Sequence, residues 1–84
     1  MITLLRSKID KIDEKILKLI AERFETVSRI GRIKHENGLK IKNKSRETAI
    51  FAKIKKLSKK FGLSHDFVSR LYEMIIDESR KLQG

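Results

Sequence analysis

The chain has 84 residues and a formal net charge of +10, from 21 Lys and Arg against 11 Asp and Glu, and contains neither Cys nor Pro. That length supports one domain, residues 1–84, whose core is marginal in isolation, and the missing Cys excludes disulfides and thiolate metal sites as reinforcement. No apolar run approaches membrane-spanning length, the N-terminus lacks the pattern of a signal peptide, and His35 and His65 lack ligand spacing, so a soluble, cytoplasmic, metal-free protein stabilised by oligomerisation is expected.

From Ile2 to about Glu36 there is a single Gly, and the segment reads as one long helix with Thr3 available as its N-cap. Leu5, Ile9, Ile12, Ile16 and Leu19 step by four and three, the period of a buried helical seam. The same register places Arg23 and Thr26 on the seam before Ile30 and Ile33 resume it, so a charge enters the apolar stripe. At ~1.5 Å per residue the helix spans roughly 50 Å, whereas a compact chain of this length has a radius of gyration of about 12 Å. It must overhang its own domain, and a second copy covering the overhang in an intertwined homodimer is expected. Gly31 lies inside the pattern, where Gly costs ~1 kcal/mol relative to Ala. Close approach of a helix or ligand, and simple tolerance, are both open there.

Asn37-Gly38 is a helix stop, with Gly38 suited to the left-handed residue after the last turn. Leu39 to Lys42 is too short for a strand and reads as a loop. Asn43 caps a second helix whose apolar residues Ile50, Ile54, Leu57 and Phe61 again step by four and three, and Gly62 ends it. Ser64 caps a third helix carrying Phe67, Val68, Leu71, Met74, Ile75 and Leu82. The fold class is all-α, three helices per chain, without repeats or interdomain linkers.

The basic excess favours an anionic partner. Nucleic acid is one option, but the cations are spread along every segment. The four Phe and one Tyr sit mostly at apolar helix positions, where they read as core rather than stacking platforms. A small acidic substrate satisfies the same charge. Arg23 and Lys34 are eleven residues apart, three turns with about 20° of angular offset, so both project from one face with Cα atoms roughly 16 Å apart along the axis. Two such side chains can grip opposite ends of a small dianion. Arg6 is about 25 Å of helix from Arg23; it joins such a site only from the other chain of an antiparallel pair. Arg46 and Glu47 decorate the first turn of the second helix, where the dipole favours Glu47. Ser79 and Gln83 lie one turn apart on the third.

In their order these positions resemble the small all-helical class of chorismate mutases. The match covers Leu5 to Gln83 and rests on Leu5-Arg6, Ile12-Asp13-Glu14-Lys15-Ile16-Leu17, Leu19-Ile20-Ala21-Glu22-Arg23, Ile30-Gly31-Arg32-Ile33-Lys34, Ser45-Arg46-Glu47, Ile75-Ile76-Asp77-Glu78-Ser79 and Gln83. The resemblance implies an interlocked homodimer with two active sites, each completed by the partner's long helix. It implies an isomerase of phenylalanine and tyrosine synthesis that converts chorismate to prephenate without a cofactor. In that family's pattern Arg23 and the partner's Arg6 hold the two substrate carboxylates, helped by Ser79. Lys34 and Gln83 donate to the ether oxygen, Glu47 accepts from the ring hydroxyl, and Arg46 sits at the edge. Asn43 departs from it, since family members often carry Asp there: an amide keeps an acceptor and the cap but loses a charge. Such domains also occur fused to other enzymes of the pathway. With no evident effector region in 84 residues, insensitivity to phenylalanine and tyrosine is expected. Three alternatives stand beside this reading: an isochorismate pyruvate lyase on the same scaffold, a basic helical nucleic-acid binder, and a helical partner-binding module without activity.

Overall fold

Two glycines and two short polar side chains set the helix boundaries. In the structure, a computed structural model describing residues 1–84, the elements are α1 (Ile2–Glu36), α2 (Lys44–Lys60) and α3 (His65–Gln83), with no strand. Gly38 (φ 64°) and Gly62 (φ 66°) take the left-handed conformation that lets a chain leave a helix while satisfying its last carbonyls. After α1, Gly38 N–H donates to His35 O and Leu39 N–H to Lys34 O; after α2, Gly62 N–H donates to Lys59 O and Leu63 N–H to Ser58 O. At the other ends, Asn43 Oδ1 accepts from Arg46 N–H at 3.0 Å and Ser64 Oγ from Phe67 N–H at 3.2 Å. Thr3 is not a cap: it lies inside α1, whose cap position is Met1, two residues earlier, with no side-chain bond there. That end starts without the usual polar acceptor.

The order of packing is set by α3, which contacts both α1 and α2, while α1 and α2 do not pack on each other. The face α1 gives to α3 is not the apolar seam. Val27 and Gly31 are buried, with Ile20, Arg23, Phe24, Ser28 and Lys34 partly covered around them, whereas Thr26 and Ile33, both on the expected seam, are exposed. Along the N-terminal half, Leu5, Ile9, Ile12, Ile16 and Leu19 stand open to solvent, from 44% exposure at Ile12 to 63% at Leu19. On α2 the inward positions are Ile54 and Ser58, while Leu57 and Phe61 face out. Ser58 tolerates complete burial because its hydroxyl donates to Ile54 O at 2.6 Å. On α3, Val68, Ile76 and Ser79 are buried, and Phe67, Leu71, Met74 and Leu82 are exposed. The aromatic residues are therefore not a core within one chain: Phe61 and Phe67 are exposed, and Phe24, Phe51 and Tyr72 half-buried.

The molecule measures 55 × 23 × 16 Å with a radius of gyration of 15.8 Å, well above the ~12 Å of a compact chain of its length. The excess is α1, whose N-terminal half extends beyond the other two helices as an uncovered arm. No helix is long and apolar enough to cross a membrane.

Ile54, 4% exposed, lies at the α2–α3 contact outside the cleft described below. Truncation there removes packing without touching functional groups. Ile54→Ala is expected to lower unfolding free energy by about 2–5 kcal/mol. In urea titrations at fixed protein concentration, this reads as a lower midpoint with an unchanged slope.

Candidate active site

One cleft, of about 140 Å³, is lined by all three helices and the first connection. From α1 come Arg23, Val27, Ile30 and Lys34; from the connection Ile41 and Asn43; from α2 Arg46, Glu47 and Ile50; from α3 Ile76, Ser79, Arg80 and Gln83. The helical repeat explains each contribution: 23, 27, 30 and 34 fall on one face of α1, as do 76, 79, 80 and 83 on α3. Seven of the eight residues singled out from the sequence thus meet: Arg23, Lys34, Asn43, Arg46, Glu47, Ser79 and Gln83. Arg6 is the exception. It lies on the exposed arm of α1, about 25 Å of helix from Arg23.

Three polar assemblies organise the lining. Arg23 Nη1 donates to Ser79 Oγ at 2.8 Å, and that hydroxyl donates its own proton to Ile75 O at 2.7 Å. Ser79 therefore acts here as an acceptor that orients a guanidinium. The carbon of that guanidinium lies over the Tyr72 ring, 6.0 Å from its centroid. Lys34 Nζ donates to Ile41 O and to Gln83 Oε1, both at 3.0 Å. An ammonium has no acceptor capacity, so the Gln83 carbonyl oxygen must face it. The Gln83 amide NH₂ and the third Lys34 proton are then free for a ligand. Around these groups the cleft carries Arg23, Lys34, Arg46 and Arg80 against the single carboxylate of Glu47, an electropositive site suited to a small anion with more than one charge.

The third assembly includes a residue that the sequence reading missed. Arg80 forms a two-pronged ion pair with Glu47, through Nε at 3.0 Å and through Nη2. Glu47 is the more covered partner, its side chain 18% exposed against 37% for Arg80. The Arg80 hydrogen bonds hold the Glu47 carboxyl below the usual carboxylate range, against the opposing effect of burial, with smaller help from the Arg80 and Lys42 charges. The same pairing raises Arg80. A signal was present in the sequence: 80 follows 76 by four and precedes 83 by three. His35 was missed too; its Nε2 lies 2.8 Å from Gln83 O. No three His, Cys, Asp or Glu side chains converge to hold a metal.

Since Glu47 is more acidic folded than unfolded, its ionised pair stabilises the fold above the ordinary carboxylate value of about 4.3 and the contribution is lost as pH falls through the lowered folded value. A carboxyl-carbon NMR titration should place Glu47 below about 4.3 in the wild type. In Arg80→Met the midpoint should rise, because burial then acts without its counterion.

The chain is similar to known proteins over nearly its whole length. Residues 5–84 match the family model described as chorismate mutase type II. A chorismate mutase of Methanocaldococcus jannaschii is 37% identical over 79 residues, covering 94% of this chain and 80% of that protein. A bifunctional chorismate mutase/prephenate dehydratase of Buchnera aphidicola is 39% identical over 74 residues, and the T-protein of Haemophilus influenzae 36% over 75. Here the match covers 88% and 89% of this chain but only 19% and 20% of those longer proteins. With nearly the whole chain matched and its polar residues gathered in one cleft, the protein belongs to the type II chorismate mutase family.

Proposed function

We propose that residues 1–84 form one catalytic domain that rearranges chorismate to prephenate in the cytoplasm, as a homodimer with two shared active sites. The observation that carries this reading is the convergence of Arg23, Lys34, Glu47, Ser79 and Gln83, from three different helices, on one cationic cleft. A dianion with an ether bridge and a ring hydroxyl needs this set of groups. Arg23 and the partner subunit's Arg6 would take the two carboxylates in charge-assisted, bidentate bonds, holding the enolpyruvyl arm over the ring. Arg46, exposed at the rim, would add to the field on the acidic groups.

The reaction is internal to the substrate: the ether carbon–oxygen bond breaks as a carbon–carbon bond forms, with no net proton transfer or redox change. It therefore calls for no cofactor. Negative charge grows on the ether oxygen as that bond stretches. Lys34 and the Gln83 amide, each with a donor to spare, would stabilise this charge more in the transition state than in the ground state. Glu47, kept ionised by Arg80, would accept from the ring hydroxyl. Asn43 spends its side-chain oxygen on the α2 cap, which leaves its amide NH₂ for the ligand.

The dimer is supported by the uncovered seam from Leu5 to Leu19 and by the place of Arg6 on that same arm, remote from the cleft of its own chain. An antiparallel partner helix would cover the seam and bring the partner's Arg6 to the cleft. A site divided in this way has a distinctive genetic signature. Arg6→Ala and Lys34→Ala proteins, each inactive alone, should on mixing regain roughly a quarter of wild-type activity, since half the dimers are mixed and each has one intact site. No recovery would show that one chain builds the whole site.

The primary assay follows chorismate loss and identifies the product. Prephenate is expected, with kcat in Lys34→Ala lowered by about 100- to 1,000-fold. Pyruvate released from isochorismate, with chorismate untouched, would instead assign a lyase on the same scaffold; turnover of neither would end the enzymatic reading.

A further inference from the structure

The last turn of a helix is normally its loosest, yet α3 ends on a residue whose amide would face the breaking bond. Three residues on one face of α1 meet it there. A Cβ added at Gly31 would lie 2.8 Å from Gln83 Cα and 3.1 Å from both its Cβ and Cγ. Lys34 donates to the Gln83 side chain at 3.0 Å. His35 Nε2 lies 2.8 Å from the Gln83 backbone carbonyl; a carbonyl only accepts, so this ring nitrogen carries a proton and donates. Positions 31, 34 and 35 are spaced i, i+3 and i+4, the interval at which one helix face presents neighbouring side chains. The missing side chain of Gly31 lets α3 come close, and His35 ties down a carbonyl that α3 cannot bond internally.

We propose that Gly31 and His35 are positioning residues, which together hold the end of α3 so that the Gln83 amide stands beside Lys34. This rests on the reading of Gln83 as an ether-oxygen donor, and adds two residues that touch no substrate. Gly31 is the more telling of the pair. Alanine is the better helix former, so its substitution favours α1 locally. The atom it would strike is backbone, not the flexible tip of a side chain, and relief requires the end of α3 to move. A displacement on the scale of 1 Å at a catalytic group costs up to about 100-fold in rate.

The test measures kcat and KM with chorismate for Gly31→Ala, His35→Leu, His35→Gln and Gln83→Ala, and for the first two combined with Gln83→Ala. Gly31→Ala and His35→Leu should lower kcat while changing KM little, because Arg23 keeps its grip. His35→Gln, which retains an N–H donor, should recover most of the loss. In the Gln83→Ala background neither change should reduce kcat further, since the group they position is gone. Losses that multiply with that of Gln83→Ala, or an unaltered kcat in both Gly31→Ala and His35→Leu, would overturn the proposal. Backbone ¹H–¹⁵N heteronuclear NOE values at Gln83 give a reading independent of turnover, and His35→Leu serves should Gly31→Ala fail to fold. The clamp predicts a rigid Gln83 amide in the wild type and a mobile one in His35→Leu, whereas equal rigidity in both removes it. A wild type inactive on chorismate would defeat the functional reading alone, with the NOE comparison still deciding whether the clamp exists.

Discussion

A rod of about 52 Å cannot be covered along its length by helices of 17 and 19 residues, which reach only ~26 and ~29 Å. The rest of the molecule follows from that mismatch. The C-terminal half of α1 is used within the chain, where Val27 and Gly31 meet α3 and where Arg23 and Lys34 enter the cleft. The N-terminal half carries an apolar seam with nothing of its own chain against it. Four buried apolar side chains, Val27, Ile54, Val68 and Ile76, are few to hold three helices together, since full burial of such a side chain contributes about 1.5–3 kcal/mol. Within one chain the core is confined to the C-terminal half of α1 and its contact with α3, and to the contact of α3 with α2.

Within the cleft, polar groups are set against one another before any ligand arrives. Arg23 rests on Ser79, Ser79 on the Ile75 carbonyl, Lys34 on the Ile41 carbonyl and the Gln83 amide, and Glu47 on Arg80. No buried side-chain nitrogen or oxygen is left without a hydrogen bond. This differs from a merely basic surface, where long side chains would sample many rotamers and lose that freedom on binding. Dipoles and charges fixed in advance need not reorganise when charge moves during a reaction, which is where such sites gain most of their effect.

Helix boundaries were legible because their causes are local. Asn43, Ser64, Gly38 and Gly62 each act on neighbours within a turn, and the three helices lie where those residues place them. As a set the site was legible through the family resemblance; spacing added that Arg23 and Lys34, and likewise Ser79 and Gln83, share one helix face, and each pair does meet in the cleft. The choice of face was harder. Periodicity gave the α1 stripe through Thr26 and Ile33, but within one chain α3 meets the neighbouring stripe through Val27 and Gly31, about 100° around the helix. Helix α1 carries both stripes, and spacing alone does not say which of them α3 meets. Thr3 failed as a cap because a suitable residue type is no guarantee of a cap where the helix can begin two residues sooner. Arg80 and His35 escaped notice because their partners, Glu47 and Gln83, are remote in sequence, and the pairing exists only once the helices are docked. Ser58, a polar residue at the most buried position of α2, was hidden for a different reason: its proton is satisfied one turn back along its own helix.

The bond from Lys34 to the Ile41 carbonyl draws the first interhelical connection into the site, so that connection is a structural part of the cleft and not a spacer. Its neighbour between α2 and α3, running through Gly62 and Ser64, contributes nothing to the cleft. The two turns should therefore diverge differently over evolutionary time. Residues inserted between α2 and α3 would change only the surface. A residue inserted between Gly38 and Asn43 would displace a carbonyl that holds the ammonium and shift the start of α2, and with it Glu47. One loop is free to drift in length, while the other is held to a fixed count by a hydrogen bond from a single lysine.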